Sequence, residues 1–241
     1  MATYVALVNE LLRRINETTL DTAGDGFGDA RNLQAIAKDA INSSTREILQ
    51  VSQEWPFTLT TYTQTLAAGT GTYAWQSDAS KVDWDTFYLK KLSSADNEPK
   101  LLPVIKYEDY LRYHRPQEDS SGESGRAVPT TVYQTQERKF GVTPVPDAAY
   151  EIEYRYWSFP SDLVAFDDTS IIPDRFKHVL IDGAMMYMMI FRSNEQSAAL
   201  HKQKFDDGID TMRRLLLDEP RYVSSTIISR RAFNRFDIDG R

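Results

Sequence analysis

Apolar periodicity divides this chain before any other feature does. In residues 4–17, Val5, Val8, Leu12 and Ile15 recur at steps of three and four, flanked by Leu7 and Leu11. That spacing sets one apolar face on an amphipathic helix. From residue 30 to about 51, Leu33, Ile36, Ala37, Ala40, Ile41, Ser44 and Ile48 repeat it. The same period returns much later. Phe176, Val179, Leu180, Gly183, Ala184, Tyr187, Met188 and Phe191 form a broad apolar face, and Ala198, Phe205, Ile209, Met212 and Leu216 a stripe on a fourth helix over about 195–217. Nothing between residues 55 and 171 sustains that period, so the middle of the chain must fold by a different rule.

That rule is the period of two. Phe57, Leu59 and Tyr62 stand among threonines in 57–66, a composition that fits a pleated, half-buried strand. Further strands are expected at 72–75, 82–92, 100–104, 130–134 and 138–142. The cleanest is 150–157, where Tyr150, Ile152, Tyr154 and Tyr156 point one way and Glu151, Glu153 and Arg155 the other. Residues 106–114 read as a short helix with Tyr107, Tyr110 and Leu111 on one side. Residues 117–125, acidic, Ser/Gly-rich and free of apolar side chains, read as a surface loop.

The boundaries follow from local chemistry. Asp29 is the expected N-cap of the second helix, and Pro56 should end it near Gln53. Pro173 and Asp174 suit the first turn of the third helix, and Pro220 stops the fourth. The order helix–helix, strands, helix–helix, tail predicts an α+β fold: an antiparallel α-helical bundle of about four helices with an inserted antiparallel β module and an extended C-terminal tail. The expected units are 1–54 with 172–220 for a discontinuous bundle, 55–171 for the β module, and 221–241 for a partner-binding tail.

Charge and composition narrow the function. With 12% aromatic residues there is ample material for a core, so wholesale disorder is excluded. Cysteine is absent, which removes disulfides, thiolate metal sites and cysteine nucleophiles together. Acidic residues outnumber basic ones by 35 to 28, a net charge of −7 that opposes a life of gripping phosphates. The opening residues lead into a patterned helix without a basic flank, so no targeting segment is expected. The most apolar run, 179–191, is interrupted by Asp182 and Gly183 and is too short to span a bilayer, so the expected chain is soluble and has no membrane partner.

The loop Gly24-Asp-Gly-Phe-Gly28 invites a phosphate-binding reading, but a helix precedes it, and Asp21, Asp25 and Asp29 would repel phosphate. As a calcium loop it has Ala23 and Asn32 where ligands are needed. A helix connector is the simpler reading. His114, His178 and His201 form no metal-ligand or triad spacing. The carboxylate pairs Asp167-Asp168 and Asp206-Asp207 read as solvated charge. The expectation is therefore no catalytic residues, no cofactor and no metal.

Two features point to partners. Met185, Met186, Met188 and Met189 cannot all face one way on a helix, so some are core and some meet a neighbour. That neighbour is another helix or another subunit, and Met185, Met186 and Met189 are the candidates for a subunit contact. In the tail, Arg221, Arg230, Arg231 and Arg235 alternate with Tyr222, Val223, Ile227, Ile228, Phe233 and Phe236, with no acid between residues 221 and 236. A disordered basic end would be poor in aromatic and β-branched residues. This mixture instead fits a segment that orders on a protein groove. The candidate partner-binding set is Tyr222, Ile227, Ile228, Arg230, Arg231, Phe233, Arg235 and Phe236.

In this combination the chain resembles the head-to-tail adaptors of short-tailed, podovirus-type bacteriophages, also called tail tubular protein A or gatekeepers. The resemblance rests on the opening helix Leu7-Val-Asn-Glu-Leu-Leu-Arg-Arg-Ile15, on Asp29-Ala-Arg-Asn-Leu-Gln-Ala-Ile-Ala-Lys-Asp-Ala-Ile-Asn42, and on Glu54-Trp-Pro-Phe57. It continues through Thr143-Pro-Val-Pro-Asp-Ala-Ala-Tyr-Glu-Ile-Glu-Tyr154 and Ile172-Pro-Asp-Arg-Phe176. It implies a structural virion protein, not an enzyme. Copies would form a ring, dodecameric by resemblance, joining the portal protein to the tail nozzle and forming part of the DNA ejection channel. Genomic DNA would pass without specific binding, as an acidic wall allows. The tail segment would dock on the portal, and the β module would lie towards the nozzle or a tail fibre. The implied location is the virion neck, after assembly in the host cytoplasm. Two other readings stand beside it: a head-completion or neck protein of a longer-tailed phage, and a carbohydrate-cleaving tail component using paired carboxylates.

Overall fold

The structure, a computed structural model of the 241-residue chain, describes residues 1–20, 25–91, 99–135 and 138–217. Five helices of seven residues or more occur among them: α1 (Tyr4–Arg14), α2 (Leu33–Val51), α3 (Arg115–Ser121), α4 (Lys177–Phe191) and α5 (Glu195–Leu216). Four of these carry the expected apolar stripes and converge on one cluster. Leu7, Val8, Leu11 and Leu12 of α1, Ile41 and Ile48 of α2, Ile181 and Met188 of α4, and Phe205 and Met212 of α5 are all fully buried in it. Trp55 closes this cluster, donating its indole N–H to the Ile48 carbonyl at 2.9 Å. The helices are tied by side chains as well as by apolar contact. Ser44 Oγ of α2 donates to the Leu180 carbonyl of α4 at 3.0 Å, and Tyr187 Oη of α4 donates to Glu47 of α2 at 3.0 Å.

The middle of the chain builds two four-stranded sheets. The first has the order β1 (Leu59–Leu66), β8 (Tyr150–Ser158), β3 (Ala79–Lys91), β4 (Lys100–Leu101). The second has the order β2 (Thr72–Ala74), β7 (Lys139–Thr143), β6 (Thr131–Gln134), β5 (Val104–Ile105). Strand β8 runs through the centre of the first sheet, with Leu59 opposite Trp157 and Leu66 opposite Tyr150 on β1. Its inward residues, Ile152 and Tyr154 among them, share one apolar cluster with Phe87, Val132, Phe140 and Val142, so the two sheets face each other across a common core. Aromatic rings hold the centre: Phe140 meets Phe87 at 5.3 Å and Tyr154 at 5.6 Å, both edge-on.

This arrangement corrects the expected fold class. The chain is not a bundle of about four helices carrying an inserted antiparallel module; its described residues form a mixed α+β fold with five helices of seven residues or more and two sheets. The run 100–104, read as one strand, is two. Around Leu102 and Pro103 the chain leaves the first sheet, where Leu89 pairs with Lys100, and enters the second, where Val104 pairs in parallel with Val132. Alternation of side chains carries no information about which sheet a strand joins. The stretch 117–125, read as a loop, holds most of α3 and a 3₁₀ turn at Gly122–Gly125. No residue of α3 is buried, so no apolar stripe exists to announce it.

Smaller differences have equally local causes. Helix α2 begins at Leu33 with Asn32 at its N-cap, not at residue 30 behind Asp29, because Asp25–Gly28 takes a helical turn of its own. The helix stops at Val51, before the expected Gln53, and a 3₁₀ turn over Pro56–Thr58 delays β1 to Leu59. Residues 218–241, which include the expected tail, lie outside the described residues.

Candidate functional site

The glycine-rich connector serves the helical core. Phe27 is 3% exposed and meets the Tyr4 ring edge-on at 5.1 Å, while Lys38 Nζ lies 4.1 Å from the Phe27 ring centre and donates to its carbonyl at 3.2 Å. The residues 21–24 of the same connector lie outside the described residues. Among the described residues no group of three or more His, Cys, Asp or Glu side chains could hold a metal ion.

Two of the titratable groups singled out in the sequence, His201 and Asp168, make side-chain hydrogen bonds. His201 Nδ1 sits 3.2 Å from Asp182 Oδ1, joining α5 to α4, and Arg14 of α1 approaches the same carboxylate at 3.8 Å. His178 is exposed and His114 is half-buried. Asp168 Oδ2 accepts the backbone N–H groups of Val164 and Ala165, both at 2.7 Å, and so closes the loop that leads into α4. Asp167, Asp206 and Asp207 are exposed. The structure does not bring these carboxylates together across a cleft. Burial pushes the Tyr154 phenol up to about 12; burial, and then the Asp78 carboxylate, does the same to Tyr156. Both therefore stay neutral hydrogen-bonding groups of the sheet core.

The methionines are spread around α4. Met185 is 4% exposed and Met186 7%, Met188 is fully buried, and Met189 is half-buried against the helical cluster. Helix α4 contacts α1, α2 and α5, so one helix can bury side chains on more than one face. Its end is different: Ile190 and Phe191 are 58% and 57% exposed at the turn into α5. The tail candidates Tyr222, Ile227, Ile228, Arg230, Arg231, Phe233, Arg235 and Phe236 lie outside the described residues.

The described residues include a cleft on the helical part and a groove on the β part. A cleft of about 320 Å³ lies between α2 and the loop 160–171. Its floor is anchored by Asn42, whose side chain donates to the Leu163 carbonyl at 3.0 Å and accepts the Leu163 N–H at 3.1 Å. Its rim carries the ion pair Arg46–Asp162 at 3.0 Å. A wider groove of about 790 Å³ opens on the β part, where Trp84 and Asp85 of β3 face β5, Lys106, Tyr107, Glu108 and the end of β6. Two of its lining residues are exposed apolar or aromatic side chains: Val104 is 39% exposed and Tyr107 37%. The sequence carried a faint sign of this patch in the tyrosines at 107, 110 and 113, which a polar helix has no core reason to hold.

An α+β body with two distinct apolar clusters, exposed apolar ends and partner-sized grooves has the features of an assembly component. Residues 2–230 match the model of the SU10 adaptor protein family, and the chain belongs to that family. It is a phage adaptor, a structural protein of the virion's head–tail junction, and adaptors of this kind associate with portal and tail components in the virion neck. A search of curated proteins finds no match. Among the described residues no helix is long and apolar enough to cross a membrane.

Proposed function

We propose that this chain is a ring-forming head-to-tail adaptor that connects the portal to the tail nozzle and forms part of the DNA ejection channel. The observation that carries this reading is the family match across 2–230, nearly the whole chain. In the more specific form drawn from the sequence, the ring is a dodecamer of the tail tubular protein A, or gatekeeper, type. The segment 221–241 docks along the portal, with Ile227, Ile228, Phe233 and Phe236 as anchors and the arginines paired to portal carboxylates. Segments 1–54 and 172–220 act as one unit and 55–171 as another, a division supported by the two separate apolar clusters. The net charge of −7 supports a wall along which DNA slides without sticking. Subunits meet partly through the end of α4, where Met189 adjoins the exposed Ile190 and Phe191.

Analytical ultracentrifugation of the purified chain, alone and mixed with the portal ring of the same genome, tests this directly. Co-sedimentation in a fixed ratio is the expected result, and the ratio gives the copy number. A chain that never associates with the portal ring overturns the proposal. Removing residues 221–241 should abolish attachment while leaving the circular dichroism of the body unchanged.

A further inference from the structure

The groove on the β part has a chemistry that neither the adaptor reading nor the sequence assigns. Two aromatic rings line it. Trp84 stacks on Phe87 at 5.4 Å and 20°, and Phe87 is fully buried. Tyr110 stacks on the buried Tyr133 at 3.8 Å, and Tyr107 stands beside that pair, its ring centre 6.0 Å from each. Both Trp84 and Tyr107 contribute to the groove wall, and Tyr107 is 37% exposed. Beside each stands a carboxylate, Asp85 next to Trp84 and Glu108 next to Tyr107. Both are exposed, and neither makes an ion pair or side-chain hydrogen bond among the described residues. The other charge on the wall is Lys106, so the groove is net negative.

Paired aromatic platforms with adjacent free carboxylates suit a flat cation. A guanidinium stacks on an aromatic face and offers N–H groups in its own plane to a carboxylate at the ring's edge, which a compact ammonium cannot do in one pose. Nucleic acid would meet repulsion between its phosphates and the two carboxylates. Val104 and Ile105 add the apolar surface typical of a protein contact.

We propose that the groove between β3 and residues 104–108 is a docking site for an arginine-bearing extended segment of a partner protein. Trp84 and Tyr107 stack guanidinium groups there, and Asp85 and Glu108 pair with them. Strand β5 forms the outer edge of the second sheet beside the groove, so an extended segment lying along it would present every second side chain to these rings. This site is independent of ring formation and of the C-terminal segment.

The test uses the full chain and a blocked Gly/Ser peptide carrying two arginines spaced by one residue, followed by tryptophan fluorescence and titration calorimetry. Saturable binding is expected, roughly tenfold weaker at 0.5 M than at 0.05 M salt. The double variant Asp85→Asn, Glu108→Gln changes two exposed side chains and should fold normally. It should bind at least about tenfold more weakly. The same peptide with lysines should bind less tightly, and with citrulline not at all. Absence of saturation, or equal affinity for the double variant, overturns the proposal. So does saturable binding of a neutral oligosaccharide such as maltohexaose in the same groove, which would make it a saccharide site.

Discussion

Replacing Gly183 by alanine should destabilise this protein, although the same change in an ordinary helix interior stabilises it by about 1 kcal/mol. Gly183 lies in the middle of α4, where the helix is pressed between α2 and α5. A β-carbon there would stand 2.3 Å from Ser44 Oγ and 2.6 and 2.8 Å from two ring carbons of Phe205. Neither neighbour has room to retreat. Ser44 is fully buried and its hydroxyl is committed to the Leu180 carbonyl, and Phe205 is fully buried in the helical cluster. Overpacking of this kind costs about 3 kcal/mol at its upper end, and displacing the Ser44 hydroxyl forfeits a buried hydrogen bond of about 1 kcal/mol. Set against the gain in helix propensity, the net loss should be about 2–3 kcal/mol. Urea unfolding followed by far-ultraviolet circular dichroism measures it, with Gly28→Ala as the control. No atom lies within 4 Å of the β-carbon built at Gly28, so that variant should stay within about 0.5 kcal/mol of the parent. If Gly183→Ala is as stable as the parent or more so, the close helix packing described here is wrong.

Three further outcomes follow from the same contacts. Gly141→Ala would place a β-carbon 2.1 Å from the Tyr133 ring that lies across it, and should cost the β part about 3 kcal/mol, read as a lower thermal midpoint in the near-ultraviolet signal. Asn42→Ala leaves the N–H and carbonyl of Leu163 without their partner and should cost about 1–3 kcal/mol, with faster hydrogen exchange at the Leu163 amide as its local mark. Burial pushes the Glu10 carboxyl up, but Lys177 and Arg14 outweigh it and hold the group below its ordinary value of 4.5. The pairing therefore contributes in full above that value and is lost as pH falls through the lower folded one. The stability gap between the parent and Glu10→Gln should accordingly close on acidification below 4.5 and stay constant from pH 6 to 8.

Helices α1, α2, α4 and α5 were legible from the sequence because each buries a stripe, and a stripe on a helix repeats every three to four residues whatever it packs against. Strand β8 was legible for the matching reason: its inward side chains alternate strictly with charged ones. Helix α3 lacked any such mark, since it buries nothing, and its exposed acids and serines look the same in a loop. That the chain is a phage head–tail adaptor was legible too, because that likeness lives in the order of short motifs along the chain; the short-tailed gatekeeper type is a finer reading that the family match does not reach. What only the tertiary structure decided was association between segments. Side-chain alternation around Pro103 is the same whether the chain continues in one sheet or changes sheets, and the structure pairs β4 with β3 and β5 with β6. The groove has the same origin: Trp84 and Tyr107 belong to separate segments of the chain and become one surface only once the two sheets close on their common core. Periodicity records which side of an element meets a core; it does not record which other element supplies that core, and a binding surface is made of that second choice.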